Sequence, residues 1–297
     1  TLGATAGSNT LTATSAGLTG SPVTFTATST AGTATTLAKT AGDNQSGAAG
    51  SAVAIAPQVL VTDVNGNPVA GVSVTFAVAT GGGSLTGGTI TGGNLATSSG
   101  TTTFDGVTVD ANVTVTDTLQ LRNTVSLTAG HGITLGGTTA YGTLLSDGAA
   151  TLGGTGSLVF ASNGGYYGVL QNQSAGDTLT VGPGITVSGS GTGSAYLGNS
   201  TNDNITFQGT LDAGVASKNW YLSSGLLTLD TGSHVNLSAG TVHLGHASGA
   251  TWDNNGTINV TGGTFNLGGS FTTANAGTIN RSAGSVVLTG TATNTSA

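Results

Sequence analysis

Three of the four histidines in this chain lie close together in the sequence, at His234, His243 and His246. Imidazole rings that meet on a protein surface can bind a metal ion. No carboxylate lies at a matching spacing, and the positions equivalent to His243 in the following repeats are Asn266 and Val287. We therefore expect surface histidines, and we predict no metal site and no cofactor.

The acidic residues offer a second kind of metal site. Asp63 and Asp110 lie near the ends of predicted domains, where they could join a calcium site between domains. Asp63 is equally well explained as a cap on the Asn65-Gly66 turn. The segment GGTGSLVF (153 to 160) begins like a calcium-binding repeat but has Leu158 where that repeat needs aspartate. These features predict no calcium site.

Catalysis on a β-helix of the polysaccharide lyase kind needs grouped carboxylates with Lys or Arg to stabilise charge. Arg122 and Arg281 are far apart in the chain, so they do not supply such a group. A six-residue rhythm over 107 to 127 is typical of hexapeptide acyltransferases, but it stops after four units. We predict no catalytic residues and no enzyme activity.

Aromatic side chains are the remaining candidates for a binding site, since exposed rings can stack on sugars or anchor a protein partner. The alternative is that the rings fill the interior, which we expect for Trp220 because it occupies an apolar position. Tyr221 and Trp252 fit either interpretation. The candidate rings are Tyr166, Tyr167, Tyr196, Trp220, Tyr221 and Trp252.

The composition decides which elements can position these residues. Only 5% of the 297 residues are charged and 53 are glycine, whereas an ordinary soluble domain has about a quarter charged residues. Apolar residues alternate with Thr, Ser and Asn, and no stretch repeats them with helical period. The sequence predicts an all-β chain. Lys39, Arg122, Lys218 and Arg281 do not cluster, so we expect no nucleic-acid partner.

The chain contains neither cysteine nor methionine. No basic and apolar leader begins it, and no run reaches about 18 apolar residues, so we expect no transmembrane segment here. We expect an internal segment of a longer protein, joined to flanking domains of the same chain. The lack of cysteine and the low charge favour an extracellular or bacterial cell-surface location.

The first hundred residues show short strands broken by turns. VSVTFAV (72 to 78) alternates as a half-buried strand does, and Asn65-Gly66 before it is a strong hairpin signal. SPVTFTAT (21 to 28) repeats the VTF core, and NTLTATSAG (9 to 17) gives it a neighbouring strand. This spacing predicts a β-sandwich.

Two segments, TTLAKTAGDNQSGAAG (35 to 50) and VTDVNGNPVAGVSVTFAVATGGGSL (61 to 85), resemble the opening half of a group 1 bacterial immunoglobulin-like domain of the intimin and invasin type. Residues 1–32 resemble the closing strands of a preceding copy, and 33–104 would be the second domain. That domain is either incomplete or finished by TTTFDGVTV (101 to 109). The resemblance implies a rigid stalk that holds a binding region away from a cell surface.

From residue 105 to 297 the spacing of the apolar residues changes, and the new spacing predicts a parallel β-solenoid. Four segments, which begin at Trp220, Val235, Ile258 and Ile279, align with an apolar first residue, a glycine at the sixth position and a leucine at the tenth. We expect apolar positions to line the interior, Ile258 to stack on Ile279, and roughly nine turns to form. The step from Trp220 to Val235 is the shortest of the three, and it is too short for one such turn.

The recurring GTIN and GG segments of this region resemble those in the right-handed β-helices of autotransporters and of filamentous-haemagglutinin-type exoproteins. We therefore expect a structural and adhesive segment of a bacterial surface or secreted adhesin, whose rigid β rod projects a binding face. The expected partner is a host matrix protein or a glycan. The alternative is a polysaccharide-binding or polysaccharide-degrading β-helix protein.

Overall fold

The computed structural model of the chain describes residues 2–46, 53–72, 74, 84–97, 100–200 and 203–294. The chain divides into two compact units, Thr1–Val74 and Thr75–Ala297. Nearly all regular structure is β-strand, which confirms the all-β prediction. Among the described residues, no helix has the length and apolar character that crossing a membrane requires.

The first unit contains two separate antiparallel pairs of strands. β1 (Gly7–Ala13) pairs with β2 (Val23–Ser29), and β3 (Ala34–Ala41) pairs with β4 (Gln58–Asp63). No hydrophobic side chain among its described residues is buried. The pairing of β1 with β2 confirms that the segments 9 to 17 and 21 to 28 form neighbouring strands. The sandwich is not seen, because the described strands have no apolar layer packed against them.

A polar cluster around Asp63 connects the parts of this unit. Its carboxylate accepts hydrogen bonds from the backbone N–H groups of Gly32, Asn65 and Asn67, at 2.8 to 2.9 Å. The side chain of Asn67 in turn bonds the backbone of Ala4 and Ala6. Asp63 and Asn67 are the buried residues of this unit, among those described. The predicted strand at 72 to 78 lies mostly outside the described residues.

The second unit consists of short strands and one helical turn. The strands are β5 (Ser84–Thr86), β6 (Thr89–Thr97), β7 (Thr101–Asp105), β8 (Thr108–Val115), β9 (Thr118–Arg122), β10 (Thr124–Leu127), β11 (Gly132–Leu135), β12 (Gly142–Ser146), β13 (Ala149–Gly154), β14 (Ser157–Phe160), β15 (Tyr167–Asn172), β16 (Thr178–Val181), β17 (Thr186–Gly189), β18 (Ser194–Leu197), β19 (Asn204–Phe207), β20 (Thr210–Ala213), β21 (Asn219–Leu222), β22 (Leu226–Leu229), β23 (His234–Leu237), β24 (Thr241–Leu244), β25 (Thr251–Asn254), β26 (Thr257–Val260), β27 (Thr264–Leu267), β28 (Ser270–Thr272), β29 (Thr278–Arg281), β30 (Ser285–Leu288) and β31 (Thr291–Thr293). The helix α1 (Thr273–Ala276) lies between β28 and β29.

These strands form a parallel β-solenoid of about eight turns with three faces. Face A contains β10, β13, β16, β19, β22 and β25. Face B contains β11, β14, β17, β20, β23, β26 and β29. Face C contains β5, β7, β9, β12, β15, β18, β21, β24, β27 and β30. The long strand β8 joins faces A and B, since residues 108–109 pair with β10 and residues 113–115 pair with β11.

The interior of the solenoid is one continuous hydrophobic core. Most strands are four residues long, with the second and fourth side chains buried, as alternation across a pleated strand requires. Ile258 and Ile279 are register partners, as expected. Each turn cannot bury its own inner face, so the stacking of turns, about 4.8 Å apart, creates the core. Where the sequence predicts roughly nine turns, the structure has about eight.

Parallel pairing begins before residue 105. β5 pairs with β7, β7 with β9, and β6 with β8. β5 and β6 lie inside the range that the sequence assigns to a second immunoglobulin-like domain, and β7 begins inside it. TTTFDGVTV, considered as the end of that domain, instead supplies β7 and the start of β8 to parallel sheets.

The short step between Trp220 and Val235 has a simple cause. Trp220 lies on face C, whereas Val235, Ile258 and Ile279 lie on face B, so the four aligned segments do not occupy one column. The step from Trp220 to Val235 is two faces rather than a full turn. Three of the aligned glycines, Gly240, Gly263 and Gly284, turn from face B to face C with φ between 66° and 79°, while Gly225 turns another corner without a positive φ.

The six-residue rhythm also has a structural meaning. The apolar pairs 107/109, 113/115 and 119/121 lie on three successive faces and give one compact turn. This turn ends where Leu127 becomes the register partner of Val109. Later turns are longer, as between Leu152 and its register partner Val181. The rhythm stops because the later corners contain additional loop residues.

Candidate functional site

The outer side of face C carries aromatic rings in successive turns. Tyr196 is the register partner of Tyr221, and Tyr221 is the register partner of His243. Further rings lie beside this column in the same surface. We define the aromatic stripe as Tyr141, Tyr166, Tyr167, Tyr196, Tyr221, His243 and His246. It contains all five tyrosines of the chain.

The rings of the stripe contact one another without a break. In the middle, Tyr196, Tyr221 and His243 are stacked with centroids 4.8 Å apart and interplanar angles of 13° and 9°. This spacing equals the distance between neighbouring strands. The stacking therefore follows directly from placing a ring at the same register position in consecutive turns.

Ring orientation changes at the two ends of the stripe. Tyr141 is tilted by 58° and 60° to Tyr166 and Tyr167, and Tyr167 meets Tyr196 edge to face at 77°. His246 is tilted by 51° to Tyr221. In the stacked middle, each ring face is covered by its neighbour. At the Tyr141 end the rings are more exposed, since Tyr141 and Tyr167 are the most exposed tyrosines, at 47% and 37%.

Two rings in the middle of the stripe, Tyr196 and His243, have pKa values shifted toward their uncharged forms. Burial raises the pKa of Tyr196, and the neighbouring Tyr221 raises it further. Burial lowers the pKa of His243 below 6.5, and the neighbouring His246 lowers it further. Nδ2 of Asn266 lies 3.0 Å from Nδ1 of His243, as expected for an amide that donates to an unprotonated ring nitrogen.

Three of the four basic residues are already bonded to other groups. Lys39 belongs to the first unit and contacts Asp43. Nε of Arg122 donates to Asp147 at 2.6 Å, and Nη1 of Arg281, on face B, donates to the carbonyl of Gly284 at 2.9 Å. Both arginines of the second unit are therefore already paired.

Lys218 is the fourth basic residue, and it is fully buried. Its Nζ donates to the carbonyls of Gly193, at 2.7 Å, and Ser190, at 3.3 Å. No carboxylate in the described part of the chain pairs with it, and burial lowers the pKa of Lys218 to about 8. Its ammonium lies 5.8 Å from the centroid of the Trp220 ring.

The structure shows which of the aromatic side chains lie in the interior and which face outward. Trp220 and Trp252 are interior side chains, at 0% and 3% exposed, which confirms the expectation for Trp220. Tyr221 faces outward in the stripe. Tyr141 was missed, because it lies in the loop before β12, outside any repeat. The sequence offered no signal for it beyond its being one of five tyrosines.

Two of the three neighbouring histidines, His243 and His246, meet, and the third does not. His243 faces outward on face C, as predicted, with Asn266 and then Val287 as its following register partners. His246 lies beside it, with ring centroids 5.4 Å apart. His234 is on face B. Among the described residues, no group of three or more metal-ligating side chains comes together.

The aspartates considered for calcium already have partners. Asp63 accepts four hydrogen bonds from Gly32, Asn65 and Asn67, which lower its pKa to about 2. This agrees with its interpretation as a turn cap. Asp110 contacts Thr128 and lies 3.3 Å from Nδ1 of His131.

The Asp110, His131 and Thr128 cluster is not a catalytic relay. In such a relay the carboxylate and the nucleophile bond opposite nitrogens of the imidazole. Here the Thr128 hydroxyl lies 3.0 Å from Nδ1 of His131, the same nitrogen that faces Asp110. The cluster therefore cannot pass a proton from the hydroxyl to the carboxylate through the ring.

Face B carries a second ordered column, an asparagine ladder. Nδ2 of Asn236 donates to Asp212, Nδ2 of Asn259 donates to Asn236, and Nδ2 of Asn280 donates to Asn259, at 2.9 to 3.1 Å. Among the four aligned segments this position varies, because the Trp220 segment from face C has Tyr221 there. Within face B alone the position is constant over three turns. The amides bond one another, so the ladder primarily stabilises the stack.

Comparison with models of protein families, with curated proteins and with solved structures found no match for this chain. The immunoglobulin-like and autotransporter-like resemblances therefore have no support beyond the sequence motifs that suggested them. The β-solenoid itself is established by the register of its strands.

Proposed function

We propose that this chain is a structural and adhesive segment of a bacterial cell-surface or secreted protein. In this proposal the solenoid is a rigid support, and face C presents the aromatic stripe to a host matrix protein or a glycan. The observation that carries the proposal is the continuous chain of ring contacts that joins all five tyrosines, from the loops before face C to its outer side. Scattered rings would be ordinary surface residues, but a continuous row is a feature of binding surfaces.

The core gives this surface its rigidity. Backbone groups pair with the turns on either side, and the inward side chains of all three faces form one cluster. A rigid rod loses little entropy when several weak contacts form at once, so contacts along it add up to useful avidity. The AGDNQS and DVNGNPVAGV segments support an immunoglobulin-like origin for the first unit, and the absence of cysteine supports an extracellular location.

The test is an array of immobilised matrix proteins and glycans probed with the whole chain at neutral pH. We expect binding to at least one class of ligand. A parallel screen should detect no release of reducing ends from polysaccharides. Absence of binding on the entire array would contradict the adhesive function and leave a spacer, while release of reducing ends would support the polysaccharide-degrading alternative.

A further inference from the structure

We propose that the aromatic stripe binds a neutral oligosaccharide chain that lies along the solenoid axis. This inference rests on the proposed function and specifies its ligand. Sugar rings would pack on the exposed rings of Tyr141 and Tyr167, and sugar hydroxyls would bond the ring edges of the stacked middle.

Charge decides between neutral and anionic sugars. A carboxylated or sulfated sugar requires Lys or Arg at the surface to offset the loss of its hydration. The arginines of the second unit, Arg122 and Arg281, are bonded to Asp147 and to a carbonyl. Lys218 is buried, and burial lowers the pKa of His243, whose Nδ1 faces the amide of Asn266. The stripe therefore offers polar and aromatic groups without a lysine or arginine.

Periodicity favours a polymer over a folded protein. The stripe repeats a ring in three consecutive turns, at 4.8 Å along Tyr196, Tyr221 and His243. A ligand that makes similar contacts at regular intervals must itself repeat. Binding sites for folded proteins instead concentrate their energy in a few central side chains that fill pockets. The stripe is an open surface, which suits an extended chain.

Ring orientation assigns different roles to the parts of the stripe. A pyranose packs its apolar face on an aromatic ring, and Tyr141 and Tyr167 are the tyrosines of the stripe with the most exposed surface. The stacked rings expose edges, so the Tyr196 and Tyr221 hydroxyls supply hydrogen bonds rather than stacking. This division predicts that ring removal matters most at the tilted end.

The experiment measures binding of cellohexaose, chitohexaose, mannohexaose and hexagalacturonate to the full chain by isothermal titration calorimetry. The test variant combines Tyr141→Ala with Tyr167→Ala. Its matched control combines Tyr141→Phe with Tyr167→Phe, which keeps both rings. Thr228→Ala, on the outer side of face A, controls for surface changes elsewhere. Circular dichroism verifies that each variant is folded, and both tyrosines are exposed enough to be replaced without disturbing the core.

We expect at least one neutral hexasaccharide to bind and hexagalacturonate not to bind. The double alanine variant should weaken binding about tenfold, because two stacking contacts are lost. The phenylalanine and Thr228 controls should stay within about twofold of the parent chain. Binding should also weaken when the hexasaccharide is replaced by the disaccharide.

Three results would overturn the inference. They are no binding of any neutral hexasaccharide, preference for hexagalacturonate, or equal binding by the alanine and phenylalanine variants. If the array finds a matrix protein while the neutral sugars fail, the adhesive function stands and the sugar assignment falls. If the array finds nothing, both fall.

Discussion

The two units of this chain are built from the same few residue types, yet they are held together in different ways. In the solenoid, alternating side chains enter a shared core, and Phe207, Trp220 and Phe265 are completely buried. In the first unit, comparable apolar side chains such as Leu11 and Phe25 are 69% and 58% exposed. Its two buried side chains, among those described, are polar.

The comparison shows that alternation alone does not create a core. An isolated two-stranded hairpin is marginally stable because it has nothing to cover its apolar face. Stacked turns cover one another, so the same pattern becomes a buried interior in the solenoid. The described part of the first unit depends instead on backbone pairing and on the cluster around Asp63.

The largest expected difference between the units concerns truncation of apolar side chains. Phe207→Ala should lower the free energy of unfolding of the solenoid by about 3–5 kcal/mol, since the ring is fully buried between its register partners Val181 and Leu229. Leu11→Ala should change the free energy of unfolding of the first unit by less than about 0.5 kcal/mol. Chemical denaturation followed by circular dichroism measures both. Similar effects at the two sites would refute the contrast.

The next effect should be confined to the first unit. Asp63→Asn replaces one carboxylate oxygen with an amide donor that faces the N–H groups already directed at it from Gly32 and Asn67. We expect faster amide hydrogen exchange at Gly32, Asn65 and Asn67, measured by NMR, with no change in the solenoid. Asp43→Asn is the matched control, because Asp43 is exposed and its carboxylate contacts the side chains of Lys39 and Asn44.

The pH dependence of the same carboxyl follows from its lowered pKa. Because the folded pKa of Asp63 is about 2 and the ordinary value is 3.8, its contribution to stability is complete above 3.8. That contribution is lost as the pH falls through about 2. Protection of Gly32 and Asn65 against exchange, relative to the intrinsic rate at each pH, should therefore fall in acid in the parent chain and should be less pH-dependent in the Asp63→Asn variant.

Lys218 gives the solenoid a pH dependence in the alkaline range. Its folded pKa is about 8, against 10.5 ordinarily, so between these values the unfolded chain binds more protons. Stability should rise with pH across this window, by up to about 1 kcal/mol per unit. Unfolding measured at pH 8 and pH 9 should show the rise, and Lys218→Met should remove it. A slope that persists in the variant would assign the effect to another group.

The smallest effect should come from the asparagine ladder. Asn259→Ala removes one bond to Asn236 and one from Asn280 on a partly exposed surface. We expect a loss of about 1 kcal/mol in the free energy of unfolding of the solenoid, since each such bond contributes little net energy. Thr228→Ala on face A is the control. A loss as large as that of Phe207→Ala would show that the ladder, rather than the core, dominates the stack.

Much of the fold could be predicted because the relevant signal is local. Period-two alternation around Ile258 and Ile279 specifies which side chains face inward, and the two positions are register partners as expected. The lack of helical periodicity excluded long helices for the same reason. The length of each turn could not be predicted, because the corner loops vary: the turn from Val109 to Leu127 is much shorter than the turn from Leu152 to Val181.

The candidate site was only partly predictable. Tyr196 and Tyr221 were recognised as possible surface rings, but their stacking depends on a register that the intervening corners set. Tyr141 joins them from a loop that no repeat contains. The asparagine ladder was overlooked because the sequence alignment mixed faces B and C.

The sequence by itself determined that the backbone forms β-strands, that the apolar residues of the solenoid share an inner surface and that hydroxyls and amides face water. These properties depend on the two-residue period of a strand and on side-chain chemistry, which are local. Only the tertiary structure decided which residues became neighbours across turns. Tyr196, Tyr221 and His243 form one surface because the lengths of the corners bring them into the same column, and corner lengths have no local rule.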